Sequence, residues 1–250
     1  MENKIKVSVV SYLNSKPFVH GLQQSTELPD IELALDTPAI CAQKLITGHA
    51  DIGLVPVASI PKISDAEIVT EYCISSNGEV ASVLLLSEVP LKNIESVLLD
   101  YQSMTSVTLV KVLSKELWNI SPQWHPSTPG FEQTIAGTQA AVVIGDRALE
   151  IKSKFRYVYD LSLEWKKLTG LPFVFACWIA NKKLPEAFIQ RFSSALKSGV
   201  ATIENLAVEL QDKYPASFHV KEYLTKSIEY NFTEDKRKAL HLFLEKVKTL

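Results

Sequence analysis

Lys6-Val7-Ser8-Val9-Val10-Ser11 is rich in β-branched residues, which predict a buried first strand. Strand and helix patterns then alternate as far as residue 55. They are a helix from Pro17 to residue 24, a strand at 31–35, a helix that begins at Thr37-Pro38, and a strand at 51–55. This order predicts a parallel sheet with helices packed on its faces.

The alternation continues through the rest of the chain. Strands are predicted at residues 68–74, 81–87, 96–100, 140–144 and 174–180, and helices at 105–118 and 161–168. Ser76-Asn77-Gly78 predicts a tight turn between the first two of these strands. After Pro185 apolar residues recur every three or four positions as far as Leu210, which predicts one long amphipathic helix. A last helix is predicted around residues 240–247.

These elements are not separated by any Gly/Ser-rich linker, so we predict two lobes that are joined by ordered crossings. The chain is expected to leave the first lobe near Ser87 and to return near Phe175. The first lobe would then comprise residues 1–87 and 176–250, with the helical tail packed on it, and the second would comprise residues 88–175. Two short crossings predict a hinge and a ligand cleft between the lobes.

The composition limits the classes of partner. The 250 residues carry a net charge of -2, so the chain has no strong positive field for nucleic acid or an anionic membrane. The cysteines Cys41, Cys73 and Cys177 form no CxxC pair, and their apolar surroundings predict buried, reduced thiols. The apolar run at residues 7–10 is far shorter than a signal-peptide core, which predicts a cytoplasmic protein. The sequence leaves the oligomeric state open.

Two polar segments follow predicted strands, where α/β sheets bind ligands. Asn14 lies in the segment after the first strand and offers both a donor and an acceptor, although it could merely shape the turn. Ser103, Thr105 and Ser106 cluster at a predicted helix N-terminus, where free N–H groups and the helix dipole favour an anion. Plain capping of the helix is the alternative for these three hydroxyls.

Further candidates are weaker when taken singly. Ser82 opens a strand, Gly145 would allow a close approach of the backbone, and Asp146 could either meet a ligand or cap the next helix. The turn Thr169-Gly170-Leu171-Pro172-Phe173 could line a cleft. Nucleotide-binding glycine loops, a GxSxG elbow and paired histidines are all absent from the sequence, so we expect no nucleotide and no metal. The role of His125 stays open.

Five ordered motifs resemble one known family, and they span about residues 5–178. They are Ser11-Tyr12-Leu13-Asn14-Ser15-Lys16-Pro17, Gly78-Glu79-Val80-Ala81-Ser82-Val83, Ser103-Met104-Thr105-Ser106, Ile144-Gly145-Asp146-Arg147-Ala148-Leu149 and residues 165–176, which include Thr169 to Phe173. The family is the menaquinone-biosynthesis chorismate dehydratase of the futalosine pathway.

The resemblance implies a two-lobed, type II periplasmic-binding-protein-like α/β fold that is used as an enzyme. The implied reaction is the loss of water from chorismate to give 3-[(1-carboxyvinyl)oxy]benzoate, without a metal or an organic cofactor. Asn14 and Ser82 are implied to be the catalytic polar pair. Substrate-binding residues are expected in the other motifs, namely Tyr12, Ser103, Thr105, Ser106, Gly145, Asp146, Thr169, Gly170, Pro172 and Phe173.

The motifs contain no obvious protein base, so we hypothesise that the enolpyruvyl carboxylate of the substrate takes the proton. Three rival functions remain. The first is the sister enzyme dihydroxynaphthoate synthase. Resemblance to that family would imply a His-Glu pair after the strand that matches residues 142–144, whereas this chain has Gly145-Asp146 there and no histidine nearby. The others are a binding protein for an anionic solute, which normally carries a signal peptide, and the ligand domain of a transcription regulator, which needs a DNA-binding helix-turn-helix.

Overall fold

The structure is a computed structural model that describes residues 4–216 and 218–250. It is a mixed α/β structure with two sheets. The strands are β1 (Ile5–Val10), β2 (Ile31–Asp36), β3 (Ile52–Pro56), β4 (Glu67–Ser76), β5 (Val83–Ser87), β6 (Ser96–Leu99), β7 (Gln123–Pro126), β8 (Gln139–Ile144), β9 (Tyr157–Asp160), β10 (Phe173–Ala180) and β11 (Glu229–Asn231). The helices are α1 (Lys16–Gln24), α2 (Pro38–Ile46), α3 (Thr105–Leu113), α4 (Asp146–Ile151), α5 (Leu161–Thr169), α6 (Glu186–Ala201), α7 (Ile203–Gln211), α8 (Val220–Glu222) and α9 (Glu234–Val247).

The chain divides into two compact units. The first consists of the described residues of Met1–Ser75 and Val174–Thr233, and the second of Ser76–Phe173 and Glu234–Leu250. None of the helices in the described residues is both long and apolar enough to span a membrane.

The first sheet has the strand order β11-β4-β10-β3-β1-β2. The pairs β1–β2 and β1–β3 are parallel, as the strand-helix alternation predicts, whereas β10 runs antiparallel to β3. Every residue of β3 and β10 is buried, which is typical of central strands that are covered on both faces. Because β1, β2 and β3 are parallel, their carboxyl ends share one edge of this sheet.

The second sheet has the strand order β7-β6-β8-β5-β9. Strand β6 is parallel to β7 and β8, and β5 is antiparallel to both of its neighbours, β8 and β9. The carboxyl ends of β6, β7, β8 and β9 and the first residue of β5 consequently lie along one edge. This edge is called the carboxyl edge of the second sheet below.

The boundaries of the units differ from those of the predicted lobes. The first crossing lies at Ser75/Ser76 rather than after Ser87, because β5 pairs along its length with β8 and β9 of the second sheet. Strands β4 and β5 thus belong to different sheets, on either side of the predicted turn at residues 76–78. The return lies at Phe173/Val174 instead of after Phe175.

The prediction for the helical tail is wrong at its end. Helix α9 belongs to the second unit, since Phe243 packs edge-on against Trp165 and Phe173 with ring centroids 6.0 and 5.1 Å apart. The predicted single helix after Pro185 is two helices, α6 and α7, which are separated at Thr202. The predicted helix at 105–118 is regular only to Leu113 and ends in a π-helical turn. Strands β7, β9 and β11 were not predicted; they have only three or four residues each.

Two glycines allow helices α1 and α6 of the first unit to touch through their backbones. A Cβ atom on Gly199 would lie 2.0 Å from the carbonyl oxygen of Pro17, and one on Gly21 would lie 2.1 Å from that of Ala195. These distances are far below van der Waals contact, so neither position can carry a side chain unless the helices separate.

We predict that Gly199→Ala lowers the free energy of unfolding by about 1–3 kcal/mol or more, because the clash outweighs the better helix propensity of alanine. The control is Ser198→Ala, an exposed position on the same helix that should change stability by less than about 0.5 kcal/mol. Urea denaturation measures both variants. Equal stability of the two would contradict the close approach of the backbones.

Candidate functional site

Three of the predicted site segments meet at the carboxyl edge of the second sheet. Residues 103–106 follow β6, Gly145-Asp146 follows β8, and Ser82 immediately precedes β5. The backbone N–H of Gly145 donates a 2.8 Å hydrogen bond to the carbonyl oxygen of Ser82. Gly145 has φ 67° and ψ -150°, a conformation that is almost restricted to glycine, so this turn depends on the missing side chain.

The buried carboxylate of Asp100, at the end of β6, ties these turns together. It accepts hydrogen bonds from the N–H groups of Gln102 at 2.9 Å and Ile144 at 3.0 Å. The guanidinium of Arg147 donates to both of its oxygens, at 2.8 and 2.7 Å. Asp100 therefore fixes the start of the 103–106 segment relative to the end of β8. Sequence reasoning missed this role, although an Asp that directly follows an apolar strand was a usable signal.

The charge of Arg147 is neutralised within the protein. Besides Asp100, its guanidinium donates to the carboxylate of Glu132 and lies over the rings of Tyr101 and Phe131, 5.3 and 5.7 Å from their centroids. Burial raises the pKa of Asp100, and this effect exceeds the opposing effects of Arg147 and of the N–H donors. A ligand anion at this edge would thus be met mainly by hydroxyl and N–H donors.

The N-terminus of α3 combines capping with two further buried hydroxyl groups. The Ser103 hydroxyl oxygen accepts a 3.1 Å hydrogen bond from the N–H of Ser106, which is the capping role left open by the sequence. Thr105 and Ser106 are each only 3% exposed. Their contact with a ligand stays a prediction. One turn further on, Thr108 donates its hydroxyl to the carbonyl of Met104.

Ser82 follows a residue in an unusual conformation. Ala81 has φ 64°, in the left-handed region that non-glycine residues rarely adopt. The N–H groups of Val80 and Ala81 both donate to Oδ2 of Asp160, at 2.9 and 2.7 Å. Asp160 ends β9 and was not singled out from the sequence. Its position just before Leu161 is the helix N-cap signal that could have identified it.

The predicted residues of the first unit follow β1. Asn14 lies within a short 3₁₀ helix, Leu13–Ser15, and Tyr12 directly precedes this helix. Both residues are half-buried. The hydroxyl of the buried Ser15 donates to Oδ1 of Asn14 at 3.0 Å. This bond uses one of the two acceptor sites of the amide oxygen, and the NH₂ group of Asn14 can donate to other partners. Ser15 is thus an orienting residue that sequence reasoning did not assign.

The turn at residues 169–173 has a structural explanation in the second unit. The Thr169 hydroxyl donates to the carbonyl of Trp165 at 2.9 Å, and Gly170 ends helix α5 at φ 74°. The carbonyl of Pro172 accepts from Nε1 of Trp165 at 3.0 Å, and Phe173 packs on the same indole. These groups terminate α5 and cover Trp165, and their predicted contact with substrate remains untested.

Other candidates lie outside these clusters. His125 is exposed on β7, opposite Leu98 of β6. Cys41, Cys73 and Cys177 are buried, reduced thiols, as the sequence predicts, and burial raises the pKa of Cys41 to about 12. Within residues 4–216 and 218–250, no three His, Cys, Asp or Glu side chains are grouped so that they could hold a metal ion.

The sequence of this chain is similar to those of known proteins over nearly its full length. The sequence model of a menaquinone biosynthesis family matches residues 5–249. A chorismate dehydratase from Thermus thermophilus is 26% identical over an alignment of 254 residues, which covers 94% of this chain and 92% of that protein.

Solved structures with similar folds have low sequence identity. A protein from Archaeoglobus fulgidus has a TM-score of 0.77 at 15% identity, with 99% of this chain and 98% of that chain covered. The periplasmic aliphatic sulphonate binding protein of Escherichia coli has a TM-score of 0.59 at 16% identity, with 98% and 93% covered. These likenesses confirm the predicted periplasmic-binding-protein-like fold.

Proposed function

The chain belongs to the menaquinone biosynthesis family, and from this premise we propose that it is a chorismate dehydratase, a carbon-oxygen lyase. The observation that carries the proposal is the similarity to the Thermus thermophilus enzyme over nearly the full length of both chains. We further propose that the enzyme works in the cytoplasm without a metal or an organic cofactor. Its partner is then the small molecule chorismate.

The proposed reaction removes water from chorismate. The ring C–O bond to the hydroxyl group breaks, a proton leaves the neighbouring ring carbon, and the ring becomes aromatic in 3-[(1-carboxyvinyl)oxy]benzoate. Aromatisation makes the overall reaction favourable. We propose that the enzyme lowers the barrier chiefly by holding the substrate in a reactive geometry with positioned polar groups.

The carboxyl edge of the second sheet supplies suitable donors for a substrate carboxylate. The hydroxyls of Thr105 and Ser106 are buried at the N-terminus of α3, a nine-residue helix whose dipole favours an anion. Arg147 is already paired with Asp100 and Glu132, so it adds no free cation. Such a site holds the carboxylate without forming an ion pair that would have to break on product release.

We assign Asn14 and Ser82 to the reacting part of the substrate. The amide NH₂ of Asn14, oriented by Ser15, would donate to the enolpyruvyl carboxylate, and that carboxylate would take the ring proton. Ser82 would hold the ring. Intramolecular proton transfer of this kind profits from a fixed geometry, because orientation can replace a strong protein base.

Direct assay tests the proposed function. Purified protein incubated with chorismate should give the aromatic enolpyruvyl ether, detected by mass spectrometry as a product lighter than chorismate by one water. Turnover should survive chelation with EDTA and dialysis. Absence of the ether at micromolar enzyme would refute the function, and recovery of an EDTA-abolished activity by zinc or iron would refute the cofactor-free mechanism.

Thr105→Val tests the carboxylate site, because it keeps the volume and removes a hydroxyl at the N-terminus of α3. Binding of the product should weaken by about 1.5–3 kcal/mol, the usual range for a hydrogen bond to a charged group. Thr108→Val on the same helix is the matched control, and it should leave the Kd nearly unchanged. Calorimetric titration measures both. A large drop in Tm with an unchanged Kd would show that Thr105 serves only the helix.

Asn14→Asp tests the substrate as base, since it keeps the shape and puts a negative charge beside the proposed enolpyruvyl carboxylate. We expect kcat to fall more than about tenfold, which corresponds to at least about 1.4 kcal/mol of barrier. Asn93→Asp, an exposed change of the same kind, should keep full activity.

The wild-type rate should stay nearly flat from about pH 7 to 9, because no histidine acts as the catalytic base in this mechanism. A limb near pH 6.5 that disappears in His125→Asn would instead make His125 the base.

A further inference from the structure

The turn that presents Ser82 is held in place from both sides. On the downstream side, Val83 begins β5 and pairs with Ile144, and the carbonyl of Ser82 accepts the N–H of Gly145. On the upstream side, Ala81 has a left-handed backbone, which is energetically costly for an alanine and is therefore stabilised by other contacts. The position of Ser82 therefore depends both on the pairing of β5 and on the contacts that keep Ala81 in this conformation.

The carboxylate of Asp160 provides these stabilising contacts. Its Oδ2 accepts the N–H groups of Val80 and Ala81, and its Oδ1 accepts those of Ser162 and Leu163 at 3.0 and 3.2 Å. One carboxylate thus caps helix α5 and fixes the residues before Ser82 at the same time. The side chain is only 6% exposed, so water does not compete effectively for these four donors.

We propose that Asp160 is a positioning residue for catalysis, which sets the Ser82 hydroxyl by locking Ala81 in its left-handed conformation. The proposal rests on the proposed function, in which Ser82 acts on the substrate. Asp160 itself need not touch the substrate, because its two oxygens are engaged by backbone donors.

The ionisation of Asp160 is consistent with this task. Burial raises its pKa to about 6, although the N–H donors of Ala81, Leu163 and Val80 oppose the shift, and the nearby charge of Glu79 adds to it. At neutral pH and above, the side chain is accordingly a carboxylate, which accepts hydrogen bonds through both oxygens and donates none.

Asp160→Asn separates the two tasks of this side chain. Asparagine caps helices about as well as aspartate, so its oxygen can keep the bonds to Ser162 and Leu163. Its NH₂ group would then face the N–H groups of Val80 and Ala81, where donor meets donor. The substitution should release the turn before Ser82 while α5 stays capped.

The first readout does not depend on activity. Amide hydrogen exchange by NMR should show lost protection at Val80 and Ala81 in Asp160→Asn, with protection kept at Leu163. The control Glu88→Gln also alters a carboxylate that accepts a backbone N–H, that of Gly137, but at an exposed site beyond the other end of β5. It should leave both the exchange at the turn and the activity unchanged. Unaltered protection at Val80 and Ala81 in Asp160→Asn would overturn the proposal.

The second readout is kinetic. In Asp160→Asn, kcat for the dehydration of chorismate should fall about tenfold or more while KM changes less than about threefold, because the lost geometry matters in the transition state. Adding Ala81→Gly should recover part of kcat, since glycine adopts a positive φ without an external hold. In a protein that already carries Ser82→Ala, Asp160→Asn should lower kcat only slightly further.

The outcomes distinguish this proposal from the proposed function. A wild-type protein that makes no product from chorismate refutes the function, and hydrogen exchange still decides whether Asp160 holds the turn. With an active wild type, fully additive losses from Asp160→Asn and Ser82→Ala would overturn the proposal. An unchanged kcat in Asp160→Asn would overturn it as well.

Discussion

Buried backbone N–H groups at the carboxyl edge of the second sheet need acceptors, and two aspartates supply them. Asp100 directly follows β6 and accepts from Gln102 and Ile144, while Asp160 is the last residue of β9 and accepts from four donors. Each hydrogen bond to a charged acceptor contributes about 1.5–3 kcal/mol. Without these carboxylates, the turns that carry the candidate residues would have unpaired donors in a buried place.

Ionisation of these two carboxyl groups makes the folded protein less stable than it is when they are protonated. Burial raises the pKa of both groups, so desolvation outweighs the hydrogen bonds and, at Asp100, the ion pair with Arg147. For Asp160, the stabilisation from proton uptake is complete below the pKa of the unfolded chain and is lost as the pH rises through about 6. Charged acceptors that reduce stability but organise a site are typical of functional positions.

Neutralisation of Arg147 connects this arrangement to the proposed chemistry. Because Asp100 and Glu132 already balance its charge, a substrate carboxylate would be bound by hydroxyl and N–H dipoles. Dipolar donors fixed by the sheet edge need no reorganisation when the charge distribution of the substrate changes. Within the first unit, Asn14 is likewise contacted by a neutral donor, because its amide oxygen accepts a hydrogen bond from the hydroxyl of Ser15.

Periodicity and proline signals are local, so they were enough to predict the α/β class, the parallel β1–β3 order and most strand and helix positions. The sequence also placed Ser82, residues 103–106 and Gly145 at strand ends, and the sheet registers put these at one edge. Only the tertiary structure decided that β5 and α9 belong to the second unit and that Asp100 and Asp160 hold the turns. These outcomes depend on pairings between residues that are 40 to 80 positions apart, such as Ile144 with Asp100 and Ala81 with Asp160. Local patterns contain no information on such partners, since these are chosen by the packing of the whole unit.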